Sequence, residues 1–394
     1  MRIMVTGLGM VSALGNDIAE NLISLKDKKT GIGAIEILKT VHKDSWVAGE
    51  IKQTNADLTD TLEIDDSLTY PRTTLLGIHA AREAFKNAGL EVTDGSRTGI
   101  VVGTTVGGMD LSETFYRKPK ENPSFIATHS CGFTTEKIAD YLGITGTMST
   151  ISTACSSGLN AIAYGARLIR HGYIDRAIVG GTDALSLFTL NGFKTLMILD
   201  DQLCAPFDKN RKGLNLGEGA GFLVIESEKS LNERKGEAIC TLSGWGNAND
   251  AFHQTASSPE GNGPYMCMHK ALEQAALIPK DIGYINVHGT GTENNDLTEG
   301  IALKRIFGED VPPFSSTKSY TGHTLGAAGG VEAVIAVLTL QHQVCFPNLN
   351  FARAIEELGL LPLTEVQENT TLKHVMTNSF GFGGNDSSLI FSKL

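Results

Sequence analysis

A chain of 394 residues with 41% hydrophobic and 20% charged residues is long enough for one large or two medium domains around a substantial core. Its net charge of −11, with no basic tract or aromatic-basic array against it, argues against nucleic acid as a partner. The longest apolar stretch, near residues 333–340, is too short to span a bilayer, and Met1-Arg2-Ile3-Met4-Val5 reads as a first strand, not a signal peptide. The six cysteines are scattered without a Cys-x-x-Cys pair, which predicts reduced thiols in a cytoplasm.

Taken in order, residues 3–11 predict an apolar strand, 71–88 a long helix and 99–105 a second strand ending in Gly and Thr. A β segment at 148–152 then leads into Ser152-Thr153-Ala154-Cys155-Ser156-Ser157-Gly158 and a small-residue amphipathic helix over 157–171. Cys155 is thereby placed on a tight strand-to-helix turn at the positive end of a helix macrodipole. Such a field favours a thiolate and leaves backbone N–H groups free beside the sulfur. Taken alone, the motif fits a nucleophile and a buried structural cysteine equally well. Gly217-Glu218-Gly219-Ala220-Gly221 predicts a glycine-rich hairpin feeding a strand over 222–226.

The second half repeats this order. Residues 240–248 resemble 3–11, followed by a helix over 263–276, an apolar strand over 282–292 and a small-residue helix over 323–342. A hairpin at 381–385 then feeds a strand over 388–391. Two α/β units are expected, 1–227 and 228–394, each with a mixed, largely parallel sheet covered by helices, in a layered α-β-α-β-α body. Aligning the halves sets Cys155 opposite His323 and Gly158 opposite Gly326, so both residues would begin the innermost helix of their half.

Two further segments carry chemistry. One is Val287-His288-Gly289-Thr290-Gly291-Thr292, a histidine at a strand end followed by small residues. The other is Ser316-Thr317-Lys318-Ser319-Tyr320-Thr321-Gly322-His323. Either histidine alone reads as a satisfied polar residue; together with Cys155, each in a Gly/Thr-rich turn, they suggest a site. Two His and one Cys could ligate zinc, but no carboxylate completes the set at convincing spacing, and no metal is expected.

These motifs, with Asn378-Ser379-Phe380-Gly381-Phe382-Gly383-Gly384-Asn385, resemble the four signatures of type II elongating β-ketoacyl-acyl carrier protein synthases, condensing enzymes of the thiolase superfamily. The resemblance runs nearly end to end and includes Pro206-Phe207-Asp208. It implies the duplicated five-layered α-β-α-β-α fold, usually as a homodimer, a heterodimer being the alternative. It implies a decarboxylative Claisen condensation without a cofactor. Cys155 would take the acyl chain from an acyl carrier protein, and His288 and His323 would donate through Nε2 to the enolate of the malonyl-phosphopantetheine substrate. Lys318 would hold His323, with Glu332 supporting, and the backbone N–H groups of Cys155 and Phe382 would form an oxyanion hole. Thr290 and Thr292 would bind the phosphopantetheine arm. Val106 and Phe193 would line the acyl tunnel, with Phe382 gating it. Lys209, Arg211, Lys212 and Arg72 would form a basic docking patch for the acidic carrier.

Glu293-Asn294-Asn295-Asp296 stands where the family usually has Pro-x-Gly-Asp, and Asn385-Asp386 where Thr-Asn is common. These departures leave fatty-acid and polyene or polyketide elongation both open. A thiolase would carry a second cysteine where Gly381-Phe382-Gly383 stands, and an initiating synthase would pair Cys with His and Asn. A non-catalytic chain-length partner would have lost the nucleophile.

Overall fold

The computed structural model describes residues 1–65, 68–91 and 97–394. Ten strands form one continuous sheet. The first half supplies β1 (Ile3–Ser12), β2 (Thr98–Gly103), β3 (Met148–Ile151), β4 (Arg176–Asp183) and β5 (Gly219–Ser227). The second supplies β6 (Cys240–Asn249), β7 (Tyr284–Asn286), β8 (Phe314–Ser315), β9 (His374–Gly381) and β10 (Asn385–Ser392). Their order is β8-β7-β9-β10-β6-β1-β5-β4-β2-β3, so the second five-strand set repeats the first about the β1–β6 seam. That seam is short, pairing Met4 with Thr241 and Val5 with Cys240.

The halves are mixed but not largely parallel. β2 pairs parallel with β3 and β4, whereas β4–β5 and β1–β5 are antiparallel; β7, β8, β9, β10 and β6 repeat that pattern. The last strand of each half returns beside its first, and this reverses half of the pairings.

Helix α1 (Arg72–Asn87) covers the outer face of the first half and α3 (Asn262–Ala275) that of the second. Between the half-sheets lie α2 (Ser157–Arg170) and α5 (Ala328–His342), while α4 (Glu293–Phe307) packs beside α3. Helix α5 is buried on every side from Ala328 to Leu340, as a helix apolar all round must be. Residues 325–342 are apolar enough by length and composition to cross a membrane, yet 89% of that stretch is buried inside the fold.

The glycine excess is used at this centre. A Cβ on Gly158 would lie 2.4 Å from the Gly330 nitrogen, and one on Gly221 would lie 2.4 Å from the Val331 nitrogen. Gly219 and Gly221 therefore belong inside β5, where α5 presses on the strand, and not to a hairpin. Residues 381–385 do form the expected turn, Gly381 pairing with Asn385. The predicted strand over 282–292 is cut to β7 because Gly289 and Gly291 turn the chain with φ of 38° and 81°. His323 does not begin its helix: Leu325 has φ of 55°, a short 3-10 turn follows, and α5 starts at Ala328.

Replacing Gly158 by alanine would force its methyl group against the α5 backbone. Destabilisation of about 3 kcal/mol or more is expected, read as a fall in the denaturation midpoint. A wild-type midpoint would show that the two helices do not meet there.

Candidate active site

Cys155 sits on the elbow between β3 and α2. The preceding residue, Ala154, holds a left-handed φ of 52°, unusual for a residue with a side chain. The Ser157 hydroxyl accepts from the Thr153 N–H (2.9 Å) and donates to the Ala154 carbonyl (2.6 Å), fixing the turn. From the other half, the Ser379 hydroxyl donates to the Cys155 carbonyl at 2.8 Å. Cys155 itself is 6% exposed.

His323 Nε2 lies 3.1 Å from Cys155 Sγ. Its Nδ1 accepts the Leu325 N–H at 3.1 Å, so in the neutral ring the proton sits on Nε2 and faces the sulfur. His288 is locked the same way by another group. Lys318 Nζ lies 3.2 Å from His288 Nδ1, 2.6 Å from the His288 carbonyl, and is ion-paired to Glu332. The two rings stand edge to face, 5.4 Å apart. Burial, reinforced by the Lys318 charge, pushes both histidines well below the usual imidazole range, leaving two neutral Nε2–H donors. Lys318 does not bond His323, contrary to expectation; it reaches His323 only through its field, because its three protons are taken up by His288 and Glu332. Burial raises the Glu332 carboxyl to about 7 against the pull of Lys318.

The resting thiol also differs from expectation. Burial drives Cys155 up to about 11, outweighing the Lys318 charge and the N–H groups of Phe382 and Cys155 that point at the sulfur. The Phe382 N–H reaches it from the β9–β10 turn, where Gly383 and Gly384 hold φ of 84° and 77°. A Cβ on Gly381 would lie 2.6 Å from the Thr153 carbonyl, so only glycine lets the turn close on the elbow.

Two carboxylates outside the sequence motifs support this site. Glu299, on α4, accepts the N–H groups of His288 (2.9 Å) and Gly289 (2.8 Å), and burial raises it to about 7. Asp183, at the end of β4, accepts from Thr104 Oγ1, the Thr105 hydroxyl, the Val106 N–H and the Gly326 N–H, binding the end of β2 to the approach to α5. A charge within an apolar run, as in Val179-Gly180-Gly181-Thr182-Asp183-Ala184-Leu185, was the available signal.

Cys155, His288 and His323 open on a cleft of about 420 Å³. Thr290 and Thr292 line it, their hydroxyls 2.9 Å apart, as do Phe382 and Phe193, stacked at 5.8 Å. Val106 does not line it; Val106 is buried with Leu185, Leu190 and Leu325 in a cluster on which Phe193 packs.

Of the four cations expected to form a docking patch, two are internal. Arg72 is buried, ion-paired with Glu218 at 2.7 Å and donating to the Gln53 and Ile51 carbonyls. Arg211 donates to the carbonyls of Asp208, Thr292 and Glu293, pinning the threonine loop. A guanidinium with five donors is suited to such cross-linking. Lys209 is exposed but paired with Glu356, and Lys212 is exposed at the cleft.

The three potential ligand atoms of Cys155, His288 and His323 lie within 4.8 Å of one another. The set does not suit a metal, because both Nδ1 atoms already accept protons and each Nε2 bears hydrogen where a lone pair would be needed.

This fold and site match known proteins. The family model "Beta-ketoacyl synthase, N-terminal domain" matches residues 1–230, and "Beta-ketoacyl synthase, C-terminal domain" matches 239–352. The 3-oxoacyl-[acyl-carrier-protein] synthase 2 of Staphylococcus aureus (strain N315) is 34% identical over 408 residues, covering 100% of this chain and 98% of the relative. Among solved structures, the ishigamide ketosynthase/chain length factor superposes with a TM-score of 0.94 at 29% identity, covering 100% of this chain and 99% of that one. The ketosynthase (ApeO) in complex with its chain length factor (ApeC) from Xenorhabdus doucetiae gives 0.83 at 33% identity, with 100% and 98% covered. The chain belongs to the beta-ketoacyl synthase family and has the thiolase-like ketosynthase fold.

Because burial leaves Cys155 protonated near neutrality, its alkylation by iodoacetamide should keep accelerating above pH 9, towards about 11. Mass spectrometry of the peptide containing Cys155 measures this. A rate already level at pH 8 would show a resting thiolate.

Proposed function

We propose that this chain is an elongating 3-oxoacyl-acyl-carrier-protein synthase that condenses malonyl-carrier protein with an acyl group held on Cys155. The observation that carries the reading is the pair of neutral imidazoles, each accepting at Nδ1, with His323 Nε2 3.1 Å from the Cys155 sulfur and a His288 ring nitrogen within 4.8 Å of both.

In the first half-reaction, Cys155 sulfur attacks the thioester carbonyl of an acyl-carrier protein. The tetrahedral oxyanion takes the N–H groups of Cys155 and Phe382, and the phosphopantetheine thiolate leaves with the proton given up by Cys155. Sulfur replaces sulfur, so little driving force is lost.

In the second, the malonyl carboxylate leaves as CO2, and the released electron pair forms an enolate whose oxygen is held by His288 and His323. The carbanion then attacks the acyl thioester, and Cys155 departs as a thiolate that takes a proton from water, the one proton the condensation consumes. Donors placed in advance are commonly worth roughly 10²–10³ in rate apiece. They serve best when neutral: an imidazolium would have to be desolvated in the same buried space. The scheme balances without a cofactor.

Thr290 and Thr292 would bind the phosphopantetheine amides, and exposed Lys212 its phosphate. Lys318, Glu332 and Glu299 hold the histidine loop. The partner is an acyl carrier protein, as the name of the Staphylococcus aureus relative suggests. Assembly is as a homodimer or with a chain length factor, as in the Xenorhabdus doucetiae complex, in a cytoplasmic setting. A purely non-catalytic chain-length role is disfavoured by the retained Cys155, His288 and His323.

Cys155→Ala should abolish acyl transfer while leaving the fold intact; labelling of another cysteine by an acyl-carrier substrate would overturn the assignment. The His288→Ala/His323→Ala double variant should still acylate Cys155 but release no CO2 from malonyl-carrier protein. Undiminished decarboxylation would remove the histidines from the enolate step.

A further inference from the structure

The two N–H groups that face the Cys155 sulfur come from opposite halves of the chain. One belongs to the elbow at Cys155 and the other to the β9–β10 turn at Phe382. Their relative position has to be set by something that spans the gap. Ser379 holds the incoming arm of the turn through the Cys155 carbonyl, at 2.8 Å. Beyond Phe382, the Gly383 N–H donates to the Gln254 carbonyl (2.8 Å), the Gly383 carbonyl accepts from Asn249 Nδ2 (3.0 Å), and the Gly384 N–H closes on the Gly381 carbonyl (3.0 Å); none of these bonds ties the outgoing arm to the Cys155 elbow.

Asn385 is placed to supply that tie. Its Oδ1 accepts from Ser156 Oγ (3.0 Å), Asn160 Nδ2 (2.8 Å) and Asn247 Nδ2 (2.9 Å). Ser156 directly follows Cys155, and its single hydroxyl proton is shared between Asn385 Oδ1 and the Thr153 carbonyl, 2.7 Å away. Asn160 reaches Thr153 Oγ1 at 2.9 Å, and its own oxygen accepts from Asn247 (3.0 Å) and Ser387 (2.5 Å). One amide oxygen thus joins the elbow, helix α2, strand β6 and the outgoing arm of the turn.

We propose that Asn385, with Asn160 as its relay, is a positioning residue that holds the Phe382 N–H in line with the Cys155 N–H over the acyl carbonyl. Asn385 touches no reacting atom; it acts by fixing the separation of two donors carried on different halves. It stands where the family commonly has threonine, so this chain makes the link with an amide oxygen reached by the Asn160 and Asn247 amides and by the shared Ser156 hydroxyl. The inference rests on the condensing reading above and names a residue that the reading does not use.

The two half-reactions separate this role from general support of the fold. Acylation of Cys155 needs the paired N–H groups, whereas loss of CO2 from malonyl-carrier protein uses His288 and His323. Asn385→Ala should slow acylation about 10–100-fold, as expected for a donor displaced by part of an ångström. KM for the acyl-carrier substrate and the rate of CO2 release should stay within about twofold of wild type, because neither uses the turn's N–H. Asn385→Thr, which restores an acceptor oxygen, should recover most of the acylation rate. Wild-type acylation in Asn385→Ala, or an equal fall in both half-reactions, would overturn the proposal. Wild-type protein assayed alongside keeps the two readings apart. If it acylates Cys155 normally and Asn385→Ala does too, only the positioning role fails; if it does not acylate, the condensing reading fails and takes this one with it.

Discussion

The ammonium group of Lys318 is the contact on which the rest of this site depends. It is buried, ion-paired to Glu332 and shared with both Nδ1 and the carbonyl of His288. A charge taken this far from water is tolerable only with its partners in place; removing one partner of such a buried pair typically destabilises by about 3–5 kcal/mol. Its return is chemical as well as structural. By occupying Nδ1 it fixes the His288 tautomer, and its field depresses both imidazoles, so that they remain donors and not bases. The fold therefore has to deliver an intact Lys318–Glu332 pair before the histidines can be what the reaction needs.

Delivering it requires backbones to approach more closely than side chains allow. Glu332 lies on α5, Lys318 in the turn before it and Cys155 before α2, and these helices meet at Gly158, Gly329 and Gly330. Asp183 completes the arrangement by holding the Gly326 N–H against the end of β2. The duplicated scaffold is nearly symmetric, but its chemistry is not. In the proposed reaction the first half provides the nucleophile, the second provides the histidines, and the oxyanion hole is divided between them.

The repeat, its strands and the convergence of Cys155, His288 and His323 are legible because they depend on local patterns: apolar periodicity, glycine-bounded turns and short motifs. What escaped was set by three-dimensional neighbours. Nothing local distinguishes Arg72 on a surface from Arg72 against Glu218, and Arg211 looked like part of a charge run until the threonine loop folded onto it. Gly219 and Gly221 look like a turn in the sequence, since glycine signals both turns and close packing, and only the position of α5 decides between them. The interior carboxylates Asp183 and Glu299 were visible as charges among apolar residues, but their partners are backbone N–H groups, which have no letter in a sequence. The state of Cys155 departs from the sequence expectation for a related reason. A helix N-terminus is readable from the chain, whereas the burial that opposes its effect belongs to the assembled core.

That burial has a consequence for the working life of the protein. Peroxide and other adventitious electrophiles react with thiolates, and oxidation beyond the sulfenic stage is mostly irreversible. A cysteine held as a 6% exposed thiol gives them little to attack. The groups that would stabilise its charge are already aimed at the sulfur, so ionisation can be confined to the moment when a thioester fills the cleft and a second sulfur stands ready to take the proton. The residue most exposed to chemical risk by its function is thus kept chemically quiet between turnovers.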